Sequence, residues 1–129
     1  INGDGSFLLY GDKPVMRDYY VAMRTKLLKP SVIVDYDRDV FICDEGNVRI
    51  TFDKNLRAGV NSFDVFDPDL ITVPAMDQRE LIMEVKYDNF LPDHIRKLIQ
   101  TSASRYMAIS KYILCRKAKD LTQRKEVLT

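Results

Sequence analysis

The spacing of apolar residues changes several times along the chain, and each change predicts a new element. Apolar residues recur at three- and four-residue steps after Pro14, which predicts a helix from about Val15 to Leu28 that Pro30 ends. The next segment, SVIVDYDRDVFI, is rich in β-branched and aromatic residues and predicts a strand. The turn sequence EGN then leads into a second strand, NVRITFD, so the two strands are predicted to form a hairpin.

The second half of the chain predicts further strands and then helices. The region from Leu56 to Asp69 contains glycine, asparagine and proline and is expected to be a long loop. A short strand at LITVP and a clearer one at ELIMEVKYD follow. One helix is predicted after Pro92 and another over SRYMAISKYILCRKAKDL, and four basic residues near its end are expected to be solvated: Lys117, Lys119, Arg124 and Lys125.

This order of elements predicts an α+β fold with antiparallel strands, in preference to a doubly wound sheet. We treat residues 1–129 as a single domain. Residues 1–29 are expected to form a loop and a helix, residues 30–88 the strands, and residues 89–129 the C-terminal helices.

Charged residues occupy the middle of the predicted strands, where the two-residue period decides which face each side chain takes. In NVRITFD, Arg49 shares one face with Thr51 and Asp53, and the apolar residues take the other. In ELIMEVKYD, Glu84 and Lys86 share a face. In the first strand, Arg38 shares its face with residues 32, 34, 36 and 40. The second and fourth of these strands are therefore half apolar and half ionic, whereas the first is less clear, because Arg38 shares its face with apolar and aromatic residues.

Two interpretations of this pattern are open from the residues alone. One is an ordinary antiparallel sheet with one solvated face. The other is a closed barrel with a polar lumen, in which buried ions need a compensating anionic ligand and a metal. Phosphate polymers have the required chemistry, because arginine forks and lysine amines bind phosphate oxygens while a carboxylate holds Mg²⁺ or Mn²⁺ against them.

Composition restricts the class of protein further. The 129 residues are 46% hydrophobic and 30% charged, which is typical of one globular domain with a real core. Because 20 basic and 19 acidic residues nearly cancel, a general nucleic-acid surface is not expected, and any anion site must be local. Cys43 and Cys115 are far apart and outside any CxxC motif, which predicts reduced, buried thiols and no zinc site.

The sequence also gives expectations about location and completeness. No apolar run approaches the roughly 18 residues of a membrane span, and no signal peptide is visible, so a cytoplasmic protein is expected. The chain begins with Ile1 and not with methionine, so it is expected to be a fragment.

Four strings occur in order along the chain: KPSVIVDYDRDVFI, GNVRITFD, LIMEVKYDNFLPDHIRKLIQ and ISKYILCR. Together they resemble the C-terminal half of the VTC domain, a member of the triphosphate tunnel metalloenzyme (CYTH-like) superfamily, from about Tyr19 to Arg116. The resemblance implies an antiparallel β-sheet forming part of a tunnel-like barrel with helices packed outside. It also implies synthesis of inorganic polyphosphate from a nucleoside triphosphate with Mn²⁺ or Mg²⁺. A triphosphate hydrolase, or a non-catalytic binder of polyphosphate or inositol phosphates, are the alternatives on the same scaffold.

The resemblance also implies roles for individual residues. Arg38 and Arg49 match tunnel arginines that hold substrate phosphates and take part in catalysis. Glu84 matches the carboxylate that binds the metal, and Lys86, on the same face, is a further candidate phosphate contact. Lys111 in the SKY motif matches a basic residue near the tunnel mouth.

Two departures from the family pattern limit what this chain is expected to do alone. Some members have a second lysine three residues before the SKY lysine, where this chain has Ala108. The family's first strands, which carry further cations for the triphosphate, have no counterpart in these residues. The chain is therefore expected to be inactive by itself, and its open sheet edges would allow pairing with a second copy.

Overall fold

The computed structural model describes residues 5–100 and 105–127. In chain order these residues form helix α1 (Pro14–Thr25), strands β1 (Ile33–Cys43), β2 (Val48–Gly59), β3 (Thr72–Pro74) and β4 (Ile82–Lys86), and helices α2 (Asp93–Ile99) and α3 (Lys111–Val127). Short 3-10 turns lie at Ser6–Tyr10 and Glu45–Asn47. The predicted α+β class with antiparallel strands is confirmed.

The long strand β2 organises the sheet. It pairs with β1 along one edge, and along the other edge it pairs with β4 through residues 49–53 and with β3 through residues 57–59. All three pairings are antiparallel. Within the described residues this four-stranded sheet is open, so the predicted barrel is not closed there.

The hairpin between β1 and β2 turns where the EGN sequence predicted it. Gly46 has φ 73° and Asn47 has φ 49°, and both lie in the left-handed region that glycine and asparagine tolerate best. A Cβ atom added at Gly46 would lie 2.6 Å from the carbonyl oxygen of Phe90. The turn therefore needs glycine both for its backbone conformation and for the close approach of the chain after β4.

The prediction of a loop from Leu56 was wrong, because β2 continues to Gly59. The register with β1 shifts near Asn55, which has φ 54°: Asp37 pairs with Lys54, whereas Asp35 pairs with Arg57. This bulge lets the strand continue but reverses the parity of its residues. The alternation read forward from NVRITFD therefore does not extend past the bulge.

The core lies where α3 covers the second half of β2. Its buried members are Leu56, Ala58, Ile82 and Cys115. The Cys115 thiol donates to the carbonyl oxygen of Arg57 at 3.3 Å, and burial raises the pKa of this thiol. The expected burial is thus confirmed for Cys115, whereas Cys43 is only half-buried.

The C-terminal helix was predicted to begin too early. Residues 105–110 are not helical and α3 begins at Lys111, while Ser104 lies outside the described residues. The Ser110 hydroxyl accepts a hydrogen bond from the backbone N–H of Ile113 at 3.4 Å, and the Ser110 carbonyl accepts one from Leu114 at 3.1 Å. Ser110 therefore starts the helix as its N-cap.

The expected solvation of the basic helix end was wrong for one residue. Lys117 and Arg124 are exposed, but Lys119 is only 8% exposed. It lies on the side of α3 that faces the segment leading into β1, where its amine donates to the carbonyl oxygen of Ser31 at 3.2 Å.

Candidate functional site

The strand register brings the predicted site residues onto one face of the sheet. Directly opposite residues of antiparallel strands share a face. Arg49 on β2 lies opposite Lys86 on β4, and Thr51 lies opposite Glu84. Asp53 lies opposite Arg38 on β1. We call this surface the ionic face and define it by six residues: Arg38, Arg49, Thr51, Asp53, Glu84 and Lys86.

The inner end of the ionic face is organised by Asp53, which is 1% exposed. Arg38 donates to it twice, from Nε to Oδ1 at 2.6 Å and from Nη2 to Oδ2 at 2.8 Å. Lys111, the first residue of α3, donates from Nζ to Oδ2 at 2.7 Å. One buried carboxylate therefore fixes two of the predicted phosphate-binding cations, which come from a strand and from a helix 58 residues away.

These contacts change the acidity of the groups involved. The Arg38 hydrogen bonds, with a further contribution from Lys111, lower the pKa of Asp53 to about 2, although burial acts in the opposite direction. The Asp53 carboxylate in turn raises the pKa of Arg38, and the negative charge of Glu84 adds to this effect. Asp53 is therefore ionised throughout the physiological pH range.

An aromatic ring supports the same two cations. The Arg38 guanidinium carbon lies 5.1 Å from the centroid of the Tyr36 ring, and the Lys111 amine lies 5.2 Å from it. Both distances are within the range of cation–π attraction. Tyr36 also packs against the core cluster beneath α3, so it connects the cations to the rigid part of the fold.

Thr51 lies at the centre of the ionic face, between Arg49 and Asp53 on β2. It is 2% exposed. Among the described residues, its Oγ1 atom is the one buried side-chain oxygen or nitrogen without a hydrogen-bond partner. A buried hydroxyl without a partner is costly, so a ligand that approaches this face would gain by bonding to it.

The outer end of the ionic face is open to solvent. Glu84 and Lys86 form an ion pair at 3.2 Å, with side chains 41% and 63% exposed. Arg49 and Lys86 line a shallow depression together with residues 47, 85, 87 and 88. The predicted residues thus share a face, but in the described part of the chain only its inner end is enclosed.

Glu84 is the residue that the sequence assigned to a metal ion. No group of three or more potential metal-binding His, Cys, Asp or Glu side chains occurs among the residues that the structure describes. A single carboxylate nevertheless fits Mg²⁺ or Mn²⁺ in a nucleotide site, because such ions take most of their ligands from phosphate oxygens and water. The half-exposed Glu84 next to Arg38 and Lys86 is compatible with that arrangement.

Sequence reasoning missed Asp53, Thr51 and Tyr36 as parts of this site. The alternation in VRITFD already put Thr51 and Asp53 beside Arg49, and this was the available signal. Nothing in the local sequence indicated that Lys111 would reach Asp53, because that contact depends on where α3 packs.

Comparison with known proteins gives one match. The family model described as VTC domain matches residues 10–119. No curated protein and no solved structure gives a significant match to the chain. In the part of the chain that the structure describes, no helix has the length and apolar character needed to cross a membrane.

Proposed function

This chain belongs to the VTC domain family, and we propose that its ionic face binds phosphate groups for polyphosphate-forming phosphoryl transfer from a nucleoside triphosphate. The observation that carries the proposal is the shared face of Arg38, Arg49 and Glu84, with Lys111 brought to its inner end through Asp53. Family membership supports the link to polyphosphate, and the geometry supports the assignment of residues.

The cations at the inner end have donors left for phosphate oxygens. The contacts to Asp53 use two of the five N–H groups of Arg38 and one of the three of Lys111. Their side chains are 28% and 23% exposed, so the remaining donors have access to the space above the face. Asp53 thus acts as a positioning residue that holds both cations in one orientation before the substrate binds.

The outer cations extend this surface along the sheet. Arg49 and Lys86 are directly opposite each other across β2 and β4 and are exposed. They are therefore placed to bind a neighbouring phosphate of the same polyphosphate molecule. The Thr51 hydroxyl lies between the inner and outer cations and supplies a neutral donor at that point. A run of phosphates bound along this face would meet a basic or hydroxyl group at each step.

Catalysis on this face is positioning and charge stabilisation, because phosphoryl transfer needs no protein nucleophile. The bond between the γ-phosphorus and the bridging oxygen of the β-phosphate breaks. A bond forms between that phosphorus and an oxygen of orthophosphate or of the growing chain, and the nucleoside diphosphate leaves. Arg38 and Arg49 bind the phosphate oxygens on which negative charge develops. A divalent ion on Glu84 supplies further neutralisation when bound.

The proposal includes a closed tunnel completed by strands other than the four described. Closure would remove the exposed edges of the sheet and exclude water from the outer end of the face. Exclusion of water would favour phosphate over water as the acceptor, and the acceptor is what distinguishes a polymerase from a triphosphate hydrolase on the same scaffold.

The test compares Glu84→Ala with Glu80→Ala in the full-length protein. Glu80 is an exposed acid outside the ionic face, which makes it a matched control. With ATP and Mn²⁺, we expect Glu80→Ala to retain polyphosphate synthesis and Glu84→Ala to lose at least about 100-fold, the scale of removing a group that stabilises transition-state charge.

Two products distinguish the alternatives in the same assay. Orthophosphate released without polymer would identify a hydrolase. Binding of polyphosphate without release of either product would identify a binding module. Undiminished metal-dependent synthesis by Glu84→Ala would overturn the assignment of the metal to this carboxylate.

A further inference from the structure

A second basic cluster lies on α3, away from the ionic face. Arg116 donates from Nη1 to the hydroxyl of Ser31 and, at 3.4 Å, to the hydroxyl of Tyr112. The Lys119 amine donates to the carbonyl oxygen of Ser31 at 3.2 Å and lies 4.2 Å from the centroid of the Phe63 ring. Ser31 therefore holds a guanidinium and an amine next to each other in fixed positions.

These cations surround a depression between α3, the segment before β1 and the loop after β2. The residues that line it are Lys29, Pro30, Ser31, Phe63, Arg116, Lys119, Asp120 and Gln123. Among the side chains that the structure describes, none of its three cations forms an ion pair. Lys119 is nevertheless only 8% exposed, and a buried ammonium without a counter-ion is unfavourable.

We propose that this depression binds a phosphate group. Three cationic side chains and the Asp120 carboxylate leave a net charge of about +2, which matches the charge of −1.5 to −2 on a phosphate group at neutral pH. Two amine protons of Lys119, further guanidinium protons of Arg116 and the Gln123 amide are donors of the right kind. The Phe63 ring lies against the Lys119 amine and limits its access to water on that side.

The site is separate from the ionic face. Lys111 and Lys119 are eight residues apart on α3, which corresponds to about 12 Å along the helix axis. The inner end of the ionic face is built on Asp53, whereas this cluster is built on Ser31, and the two share no described hydrogen-bond partner. Binding here is therefore a property of the chain beyond the proposed phosphoryl transfer.

The test is a titration of the ¹⁵N-labelled chain followed by NMR, read at the Ser31 backbone amide and the Gln123 side-chain amide. Orthophosphate, glycerol 3-phosphate and tripolyphosphate are the three probes, and they distinguish free phosphate, a phosphate ester and a phosphate chain as the natural ligand. We expect at least one of them to shift both signals in a saturable manner, while sodium chloride at equal ionic strength does not.

Variants of α3 assign the response. Lys119→Met keeps the length of the buried stem, Arg116→Gln keeps a hydrogen-bond donor, and Lys117→Gln removes one charge from an exposed position of the same helix. We expect the first two to weaken binding at least tenfold and Lys117→Gln to leave it unchanged. The proposal is overturned if Arg116→Gln, folded by its spectrum, binds as the parent does, or if chloride reproduces the shifts. Arg49→Gln changes the ionic face only. The phosphate-induced shifts of the Ser31 and Gln123 signals should be unchanged in this variant, because the two sites are separate.

Discussion

Arg38 and Asp53 lie directly opposite each other on β1 and β2 and are joined by two parallel hydrogen bonds of 2.6 and 2.8 Å. Lys111 adds a third bond to the same carboxylate at 2.7 Å. Because Asp53 is almost fully buried, these bonds form in a low-dielectric environment, where they connect the sheet to the start of α3. The inner end of the proposed site therefore depends on one carboxylate, which also adds to the core contacts that hold α3 against the sheet.

Replacement of this carboxylate by an amide should therefore destabilise the fold. Asp53→Asn retains the shape but leaves Arg38 and Lys111 without their counter-ion, and loss of one partner of a buried pair costs about 3–5 kcal/mol. Asp39→Asn is the control, because it breaks the exposed Lys54–Asp39 pair, which is worth about 0–1 kcal/mol. Urea unfolding of both variants measures the difference, and equal losses would contradict the role assigned to Asp53.

The low pKa of Asp53 predicts how the free energy of unfolding changes in acid. Its pKa in the folded chain is about 2, below the value of about 3.9 of an unfolded aspartate, so the folded state favours the ionised form. The contribution is complete above pH 4, decreases as the pH falls towards 2, and amounts to about 2–3 kcal/mol in total. The free energy of unfolding measured from pH 6 to pH 2 should therefore fall less steeply in Asp53→Asn. Parallel curves for the two proteins would show that another group is responsible.

Replacement of Thr51 should have opposite effects on the stability of the fold and on phosphate binding. Thr51→Val removes a buried hydroxyl without a partner while keeping the side-chain shape, so the free energy of unfolding should stay the same or rise by about 1 kcal/mol. If the hydroxyl bonds to a bound phosphate, the affinity of the ionic face for tripolyphosphate should fall about fivefold, equivalent to about 1 kcal/mol. Thermal unfolding and calorimetric titration measure the two effects. A loss of stability, or an unchanged affinity, would contradict the role of Thr51.

Replacement of Gly46 should lower only the stability of the fold. Gly46→Ala places a Cβ atom 2.6 Å from the Phe90 carbonyl oxygen at a positive φ, and we expect a loss of about 1–3 kcal/mol. Gly5→Ala is a matched control, because its Cβ would meet side-chain atoms no closer than 3.4 Å and its φ is −81°. Chemical denaturation of the two variants tests this difference, which similar midpoints would refute.

Local patterns in the sequence were sufficient for the hairpin, for the antiparallel α+β class and for the ionic face up to Asp53. The two-residue period depends only on neighbouring backbone geometry, so Arg49, Glu84 and Lys86 could be assigned to a face without any tertiary information. The same reasoning failed after Asn55. This one left-handed residue changed the parity of β2, and the composition of the residues after it fits a loop as well as a strand. The reasoning also failed at the start of α3, where the Ser110 cap overrides the helical spacing of the residues before it.

The sequence by itself determined which residues carry charge and, in β4 and in β2 up to the bulge at Asn55, which face of the strand they occupy. Only the tertiary structure decided which charges meet. Arg38 and Asp53 meet through the register of a hairpin, and Lys111 joins them through the packing of a helix 58 residues further along the chain. Such contacts depend on the whole core beneath α3, and no short stretch of sequence contains the information that fixes them. The same limit applies to Lys119. Its basic sequence neighbours predicted a solvent-exposed side chain, but its position on α3 buries it.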